Sequence, residues 1–114
     1  MTPAHDPFLA ERNVSRETEG RLLVFVDLLG KWTQKINLIS KSTASDIWRR
    51  HILDSVQIYD FAPNKFYLWL DIGSGGGLPG VVVAALAAQF EPGARIVMIE
   101  SDQRKAAFLR TALR

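Results

Sequence analysis

The chain has 114 residues, of which 47% are hydrophobic, and this suits one small globular domain with a single core. It contains no cysteine, which excludes disulfides and thiolate metal sites. Its two histidines, His5 and His51, are too far apart to indicate a metal cluster, so we expect no metal site. The formal net charge of +2 alone neither favours nor opposes binding to nucleic acid.

The N-terminal segment 1–13 contains Pro3, Pro7 and mixed charges, and is predicted to be a loose arm. It lacks the basic start and apolar core of a signal peptide. The longest apolar run, 81–88, is far shorter than the ~20 residues that a membrane-spanning helix needs. The sequence therefore predicts a cytoplasmic protein that has no contact with a membrane.

Two helices are predicted in the first half of the chain. The first begins after the N-cap Ser15, has acidic residues in its first turn, and keeps a helical apolar spacing as far as Ile36. The second begins after Ser42 or Thr43 and presents one apolar face. With the arm, these helices form a predicted N-terminal arm and helical cap over residues 1–64.

Strands and helices alternate in the second half of the chain. Segment 66–72 is predicted to be a buried strand, 81–90 a helix that is apolar almost all round, and 95–99 a second strand. A last helix follows a cap at Ser101 or Asp102. The alternation predicts an α/β fold with a parallel sheet.

Two strands are too few for a parallel sheet, because such sheets are covered by helices on both faces. Arg114 also lies in an amphipathic helix that no cap signal follows. We therefore expect residues 65–114 to be the first strand–helix–strand–helix part of a larger domain, whose remainder is missing from this chain.

A glycine-rich loop, 71–80, lies between the first strand and its helix. Glycine permits tight turns and close approach of a ligand, and the helix N-terminus offers unpaired N–H groups. The spacing G-x-G-x-x-G of dinucleotide-binding proteins fails, because its third position is Leu78. The residues of the spacing that is present are Asp71, Gly73, Gly75 and Gly77.

This spacing resembles the first motif of class I S-adenosylmethionine methyltransferases, in which the loop wraps the amino-acid end of the cofactor. The resemblance implies that Asp71 holds the ammonium group of S-adenosylmethionine, directly or through water. Glu100, at the end of the second strand, is placed to accept hydrogen bonds from both ribose hydroxyls. A helix N-terminal role explains Glu100 as well, as it does Asp102, and the same loop and acid leave open an NAD(P)-binding Rossmann oxidoreductase.

Three segments carry a more specific resemblance. They are 31–38 (KWTQKINL), 50–55 (RHILDS) and 70–80, in which the run GLPG is intact. Together they resemble the glucose-inhibited division protein B family, the bacterial 16S ribosomal RNA guanine-N7 methyltransferases. The resemblance covers almost the whole chain after residue 15. It implies N-terminal helices packed on a Rossmann-like class I methyltransferase core.

The resemblance further implies S-adenosyl-L-methionine as cofactor and 16S ribosomal RNA, free or in the small ribosomal subunit, as partner. The residues expected to bind the cofactor are Asp71, Gly73, Ser74, Gly75, Gly77, Leu78 and Glu100. The family's later cofactor and substrate positions lie beyond Arg114, so this chain alone is expected to be inactive. A non-catalytic RNA-binding fragment is the remaining alternative.

Guanine N7 has an in-plane lone pair and no proton, so methyl transfer requires alignment and no prior deprotonation. No catalytic base is therefore assigned, and His51 is expected to be structural, bonded to Asp54. Asn37 either contacts substrate or caps a turn. Basic residues expected to contact RNA phosphates, unless they are only a solvated helix face, are Lys31, Lys35, Arg49 and Arg50.

Overall fold

The computed structural model describes residues 5–63 and 65–113. In this part of the chain, helices cover one face of a two-stranded sheet. The elements in chain order are α1 (Pro7–Glu11), α2 (Arg16–Ile36), a 3₁₀ turn (Ala44–Asp46), a π-helical turn (Trp48–Ile52), α3 (Leu53–Tyr59), β1 (Leu68–Ile72), α4 (Gly80–Phe90), β2 (Arg95–Ile99) and α5 (Gln103–Ala112).

Helix α2 begins and ends where the sequence predicts. The Ser15 hydroxyl accepts a hydrogen bond from the Thr18 amide at 3.1 Å, which satisfies one free donor of the first turn. At the other end Asn37 adopts a left-handed backbone with φ of 55°, and its N–H donates to the Thr33 carbonyl. Asn37 therefore caps α2, and its contact with substrate stays a prediction.

The predicted loose arm is wrong for the residues that the structure describes. Asp6 caps α1 by accepting a hydrogen bond from the Phe8 amide at 2.8 Å. Leu9 is fully buried in the main core, and the Arg12 side chain forms an ion pair with Asp60 of 2.9 Å. These contacts order the segment despite its prolines. Positions 1–4 of the predicted arm lie outside the described residues.

The second predicted helix is not continuous, and the prediction that Ser42 or Thr43 caps it is wrong. Thr43 makes no side-chain capping hydrogen bond; its hydroxyl donates to the Ser40 carbonyl at 3.1 Å, and its oxygen lies 2.8 Å from His51 Nε2. The chain then forms a 3₁₀ turn and a wider π-helical turn before α3 begins. Ile52 and Val56 nevertheless face the core, as their spacing predicts.

The strands confirm the α/β expectation. β1 and β2 are parallel neighbours, with Leu68 opposite Arg95 and Ile72 opposite Ile99. β2 has the predicted bounds, whereas β1 starts at Leu68, two residues after the predicted start at Phe66. Helix α4 packs against the sheet on one face. On the other face, Leu68, Leu70, Ile72 and Ile99 are exposed.

The main core lies between the helices and the covered face of the sheet. Its fully or almost fully buried members include Leu22, Phe25, Leu29, Ile52, Val82, Leu86, Phe108 and Leu109. Both predicted parts of the chain contribute to it. Among the helices of the described residues, none has the length and apolarity required to cross a membrane.

Helix α5 buries a different face from the predicted one. Leu109 is buried as expected, but Leu113 is exposed and Ala106 only partly buried. Phe108, which the spacing argument missed, is fully buried, with its ring centroid 5.5 Å from that of Trp32 and 6.1 Å from that of Phe25. The aromatic side chains of α2 therefore set the orientation of α5.

We predict that Phe108→Ala lowers the free energy of unfolding by about 3–5 kcal/mol, because it leaves a cavity among aromatic rings. Leu113→Ala, on the exposed side of the same helix end, should change it by less than about 0.5 kcal/mol. Urea unfolding followed by tryptophan fluorescence measures both. Equal midpoints for the two variants would contradict this packing.

Candidate functional site

The glycine loop is fastened to the end of β2. The amides of Gly73 and Ser74 both donate to the Ile99 carbonyl, at 2.8 and 3.1 Å. The Ser74 hydroxyl donates to the Asp71 carbonyl at 3.0 Å, and this side chain is buried. Ser74, predicted to bind cofactor, thus uses its hydroxyl to hold the turn that follows β1.

Two glycines of the loop border open space. Gly73 has φ of 71°, and a Cβ atom added to it would meet nothing within 4 Å. Gly75 has φ of 49°, and its added Cβ would meet only the Gly73 carbonyl oxygen, at 3.8 Å. These positive φ angles favour glycine, and the open side leaves room for a ligand close to the backbone.

Three other glycines are packed against protein. A Cβ on Gly77, where φ is 81°, would lie 2.7 Å from Val81 Cγ2. A Cβ on Gly76 would lie 3.1 Å from the Leu38 carbonyl oxygen, and one on Gly80 would collide with the Asp71 carboxylate. Gly77, a predicted cofactor residue, therefore lies against the core, and Leu78 next to it is partly buried.

Glu100 is brought to the loop, as the sequence predicts. Its Oε1 accepts a hydrogen bond from the Gly75 amide at 2.7 Å, and its Oε2 accepts one from the Asp102 amide at 2.9 Å. The hydrogen bond from the Asp102 amide has the larger effect and that from the Gly75 amide the next, and both lower the pKa of the Glu100 carboxyl below its ordinary value. Each oxygen keeps a lone pair that can accept a hydroxyl proton.

The sequence allowed a helix-capping role for either Glu100 or Asp102, and Asp102 is the residue that caps α5. Its Oδ1 accepts hydrogen bonds from the amides of Arg104 and Lys105, at 2.9 and 3.1 Å. The Glu100 carboxylate, two residues earlier, faces the glycine loop. The two acids therefore have different roles: Asp102 caps α5, and Glu100 accepts a hydrogen bond from the loop.

Asp71 carries a polar atom in an unusual environment. Its Oδ2 is buried and has no hydrogen-bond partner among the residues that the structure describes. Burial raises the pKa of the Asp71 carboxyl, and the nearby Ser74 hydroxyl and Gly80 amide only partly offset this rise. A buried carboxylate oxygen without a partner is costly, and this one lies against Gly80 on the packed side of the loop.

The four basic residues predicted to meet RNA are all exposed, and among the described residues none of them forms an ion pair or hydrogen bond with the glycine loop. Lys31 and Lys35 lie on α2, and Lys31 Nζ is 3.0 Å from Asp27 Oδ2. Arg49 and Arg50 lie in the π-helical turn. Within residues 5–63 and 65–113, no group of three or more His, Cys, Asp or Glu residues is arranged to hold a metal ion.

The predicted hydrogen bond between His51 and Asp54 is wrong. His51 Nε2 lies 2.8 Å from the Thr43 hydroxyl, because the π-helical turn directs the ring toward the segment that follows α2. Residues 37–43, which we call the hydroxyl segment, also contact the glycine loop at Leu38 and Gly76. Sequence reasoning missed this contact, although the run Ser-Lys-Ser-Thr marks the segment as polar.

Comparison with known proteins supplies the family. Residues 18–114 match the family GidB, described as rRNA small subunit methyltransferase G. The chain belongs to this family. The resemblance drawn from its three sequence segments is therefore confirmed.

Curated relatives named ribosomal RNA small subunit methyltransferase G are similar over most of the chain. The protein of Ruegeria sp. (strain TM1040) is 59% identical over 91% of this chain and 50% of its own length. Those of Cereibacter sphaeroides (strain ATCC 17025) and Rhizobium rhizogenes are 56% and 52% identical, over 90% and 89% of this chain. The chain spans about half the length of these relatives. No solved structure matches it.

We predict different costs for two glycine substitutions. Gly77→Ala should destabilise the protein by about 1–2 kcal/mol from its positive φ, and by a further ~1–3 kcal/mol from the clash with Val81. Gly73→Ala should carry only the first cost, because its side chain would enter open space. Urea unfolding compares the two, and equal losses would show that Gly77 is not packed as described.

We predict that Asp71→Asn stabilises the protein at neutral pH when no ligand is added. Because the pKa of Asp71 is raised, the folded state binds its proton more tightly than the unfolded state, and ionisation costs stability. The advantage of the variant should therefore shrink as the pH falls through the raised pKa of the folded state, and should be gone below the unfolded value of ~3.9. Urea unfolding at several pH values measures this, and an advantage that grows toward acid pH would refute it.

Proposed function

We propose that this chain supplies the S-adenosylmethionine-binding part of an enzyme that methylates a guanine N7 in 16S ribosomal RNA. The observation that carries the proposal is the 2.7 Å hydrogen bond from the Gly75 amide to Glu100. It joins the predicted ribose-binding acid to the predicted cofactor loop. Family membership and the names of the relatives support methylation of small-subunit ribosomal RNA.

The residues at the loop fit S-adenosylmethionine. Gly73 and Gly75 leave open space beside the backbone, where the cofactor could approach closely. Glu100 would accept the ribose hydroxyls through its remaining lone pairs. Asp71 would balance the charge of the ammonium group, directly or through water. Ser74, Gly77 and Leu78 would act by holding the loop in shape.

When bound, the cofactor supplies a methyl group on a positively charged sulfur. The work of this chain is to bind and orient it, since guanine N7 already presents a lone pair and has no proton to lose. Alignment of the two reactants can account for much of such a rate enhancement. No general base is therefore assigned. His51, the histidine nearest in type to such a base, is hydrogen-bonded to Thr43.

We propose further that β1 and β2 begin a Rossmann-like class I methyltransferase sheet, in a domain that starts at residue 65 behind the helical cap of residues 1–64. The exposed apolar face of Leu68, Leu70 and Ile72 supports this. Parallel strands are normally apolar on both faces because helices cover both. The partner would be 16S ribosomal RNA or the small ribosomal subunit, and the site of action the cytoplasm.

The test uses the product of the complete natural gene, with calorimetric titration of S-adenosylhomocysteine. We expect binding, and a loss of affinity of about tenfold or more in Glu100→Ala, because two ribose contacts and the bond to Gly75 are lost. Asp102→Asn is the matched control, since asparagine also caps helices and only a neighbouring charge is removed. Its affinity should be that of the wild type.

Methyl transfer is then measured with labelled cofactor on 16S ribosomal RNA, free or in small subunits, from cells that lack the enzyme. Transfer to guanine N7 is the expected result. Binding of NADH without competition from S-adenosylhomocysteine would instead favour an oxidoreductase. Binding of RNA without any transfer would favour a non-catalytic module.

A further inference from the structure

The hydroxyl segment, residues 37–43, lies against the glycine loop. The closest approach is between Leu38 and Gly76, where an added Cβ would lie 3.1 Å from the Leu38 carbonyl oxygen and 3.3 Å from its Cβ. Only glycine permits so short a distance without displacing one of the two chains. The segment therefore borders the cofactor loop, next to Gly75.

The first part of this segment is held by α2. The Thr33 hydroxyl accepts hydrogen bonds from the amides of Leu38 and Ile39, at 3.0 and 3.1 Å. Thr33 lies in the last turns of α2, which is anchored in the core through Leu29. The contact with Gly76 thus depends on Thr33 and does not involve His51.

The second part is held by the π-helical turn. The Thr43 hydroxyl donates to the Ser40 carbonyl at 3.1 Å, so its proton is already used. With that proton directed to Ser40, the Thr43 oxygen accepts from His51 when the imidazole carries its proton on Nε2, which lies 2.8 Å away. The Ser40 hydroxyl lies 2.8 Å from the same oxygen. One imidazole consequently fixes the conformation of the stretch 40–43, in which Lys41 is exposed.

We infer that His51 is a positioning residue for the RNA substrate. The inference rests on the proposed function, and it divides the hydroxyl segment into two halves. Thr33 holds the half that supports the cofactor loop, and His51 holds the half that presents Lys41 and the hydroxyls of Ser40 and Ser42 to the phosphates of an incoming RNA. Exposed Arg49 and Arg50, beside His51 in the same turn, extend this basic polar surface.

Amide hydrogen exchange on the complete gene product tests the two anchors without reference to activity. The Thr43 and Ala44 amides donate to the Ser40 carbonyl, and His51→Leu should accelerate their exchange by about three- to tenfold. The amides of Leu38 and Ile39 should stay protected. Thr33→Val should show the reverse pattern. Unchanged exchange of Thr43 and Ala44 in His51→Leu would overturn the inference.

Kinetics test the consequence for the substrate. His51→Leu should raise the KM for 16S ribosomal RNA about three- to tenfold and leave the affinity for S-adenosylhomocysteine within about twofold. His51→Gln, whose amide can still donate to Thr43, should restore most of the loss. Thr33→Val should weaken S-adenosylhomocysteine binding instead.

Two outcomes separate the failure of this inference from that of the proposed function. A wild-type protein that transfers no methyl group to 16S ribosomal RNA would refute the proposed function. An active wild type with a His51→Leu variant of unchanged KM, or with a His51→Gln variant as defective as His51→Leu, would overturn the inference alone. Unfolding midpoints of all variants are compared to exclude a general loss of fold.

Discussion

The attachment of the glycine loop to the end of β2 is the constraint on which the candidate site depends. Parallel pairing in register sets Ile72 beside Ile99, so the residues that follow both strands emerge at one edge of the sheet. The Ile99 carbonyl then receives two amides of the loop, and the Glu100 carboxylate receives a third. A change of register by one residue would separate these groups and turn Asp71 to the other face.

Fastening the loop in this way divides its glycines into two groups. Gly73 and Gly75 face open space, whereas Gly76, Gly77 and Gly80 admit neighbouring parts of the protein. The motif therefore combines glycines that border open space with glycines that packing requires, and the spacing in the sequence alone does not separate the two. Asp71 belongs to the packed part, since its carboxylate lies against Gly80 and burial raises its pKa.

The sequence predicts the elements whose pattern is local. Ser15 caps α2, β2 has its predicted bounds, and Glu100 meets the loop because chain order and parallel pairing dictate it. The remainder depends on contacts between distant parts of the chain. Phe108 is buried by rings of α2, and α1 is ordered by contacts with later segments such as that between Arg12 and Asp60.

The π-helical turn was beyond prediction for a similar reason. Periodicity assumes one helical pitch, and a local widening of the helix changes which side chains share a face. That is why Asp54, one α-helical turn from His51, was the expected partner and Thr43 is the observed one. The RNA contacts remain predictions, as do the cofactor roles of the seven predicted residues, which are Asp71, Gly73, Ser74, Gly75, Gly77, Leu78 and Glu100.

The helical cap and the glycine loop are one mechanical unit. An added Cβ on Gly77 would lie 3.3 Å from both the Phe25 ring of α2 and the Leu109 side chain of α5. Leu38, two residues after the end of α2, contacts the adjacent Gly76. The packed side of the loop is therefore formed in part by α2 and the segment that follows it, and a shift of α2 must alter the loop or open a cavity behind it.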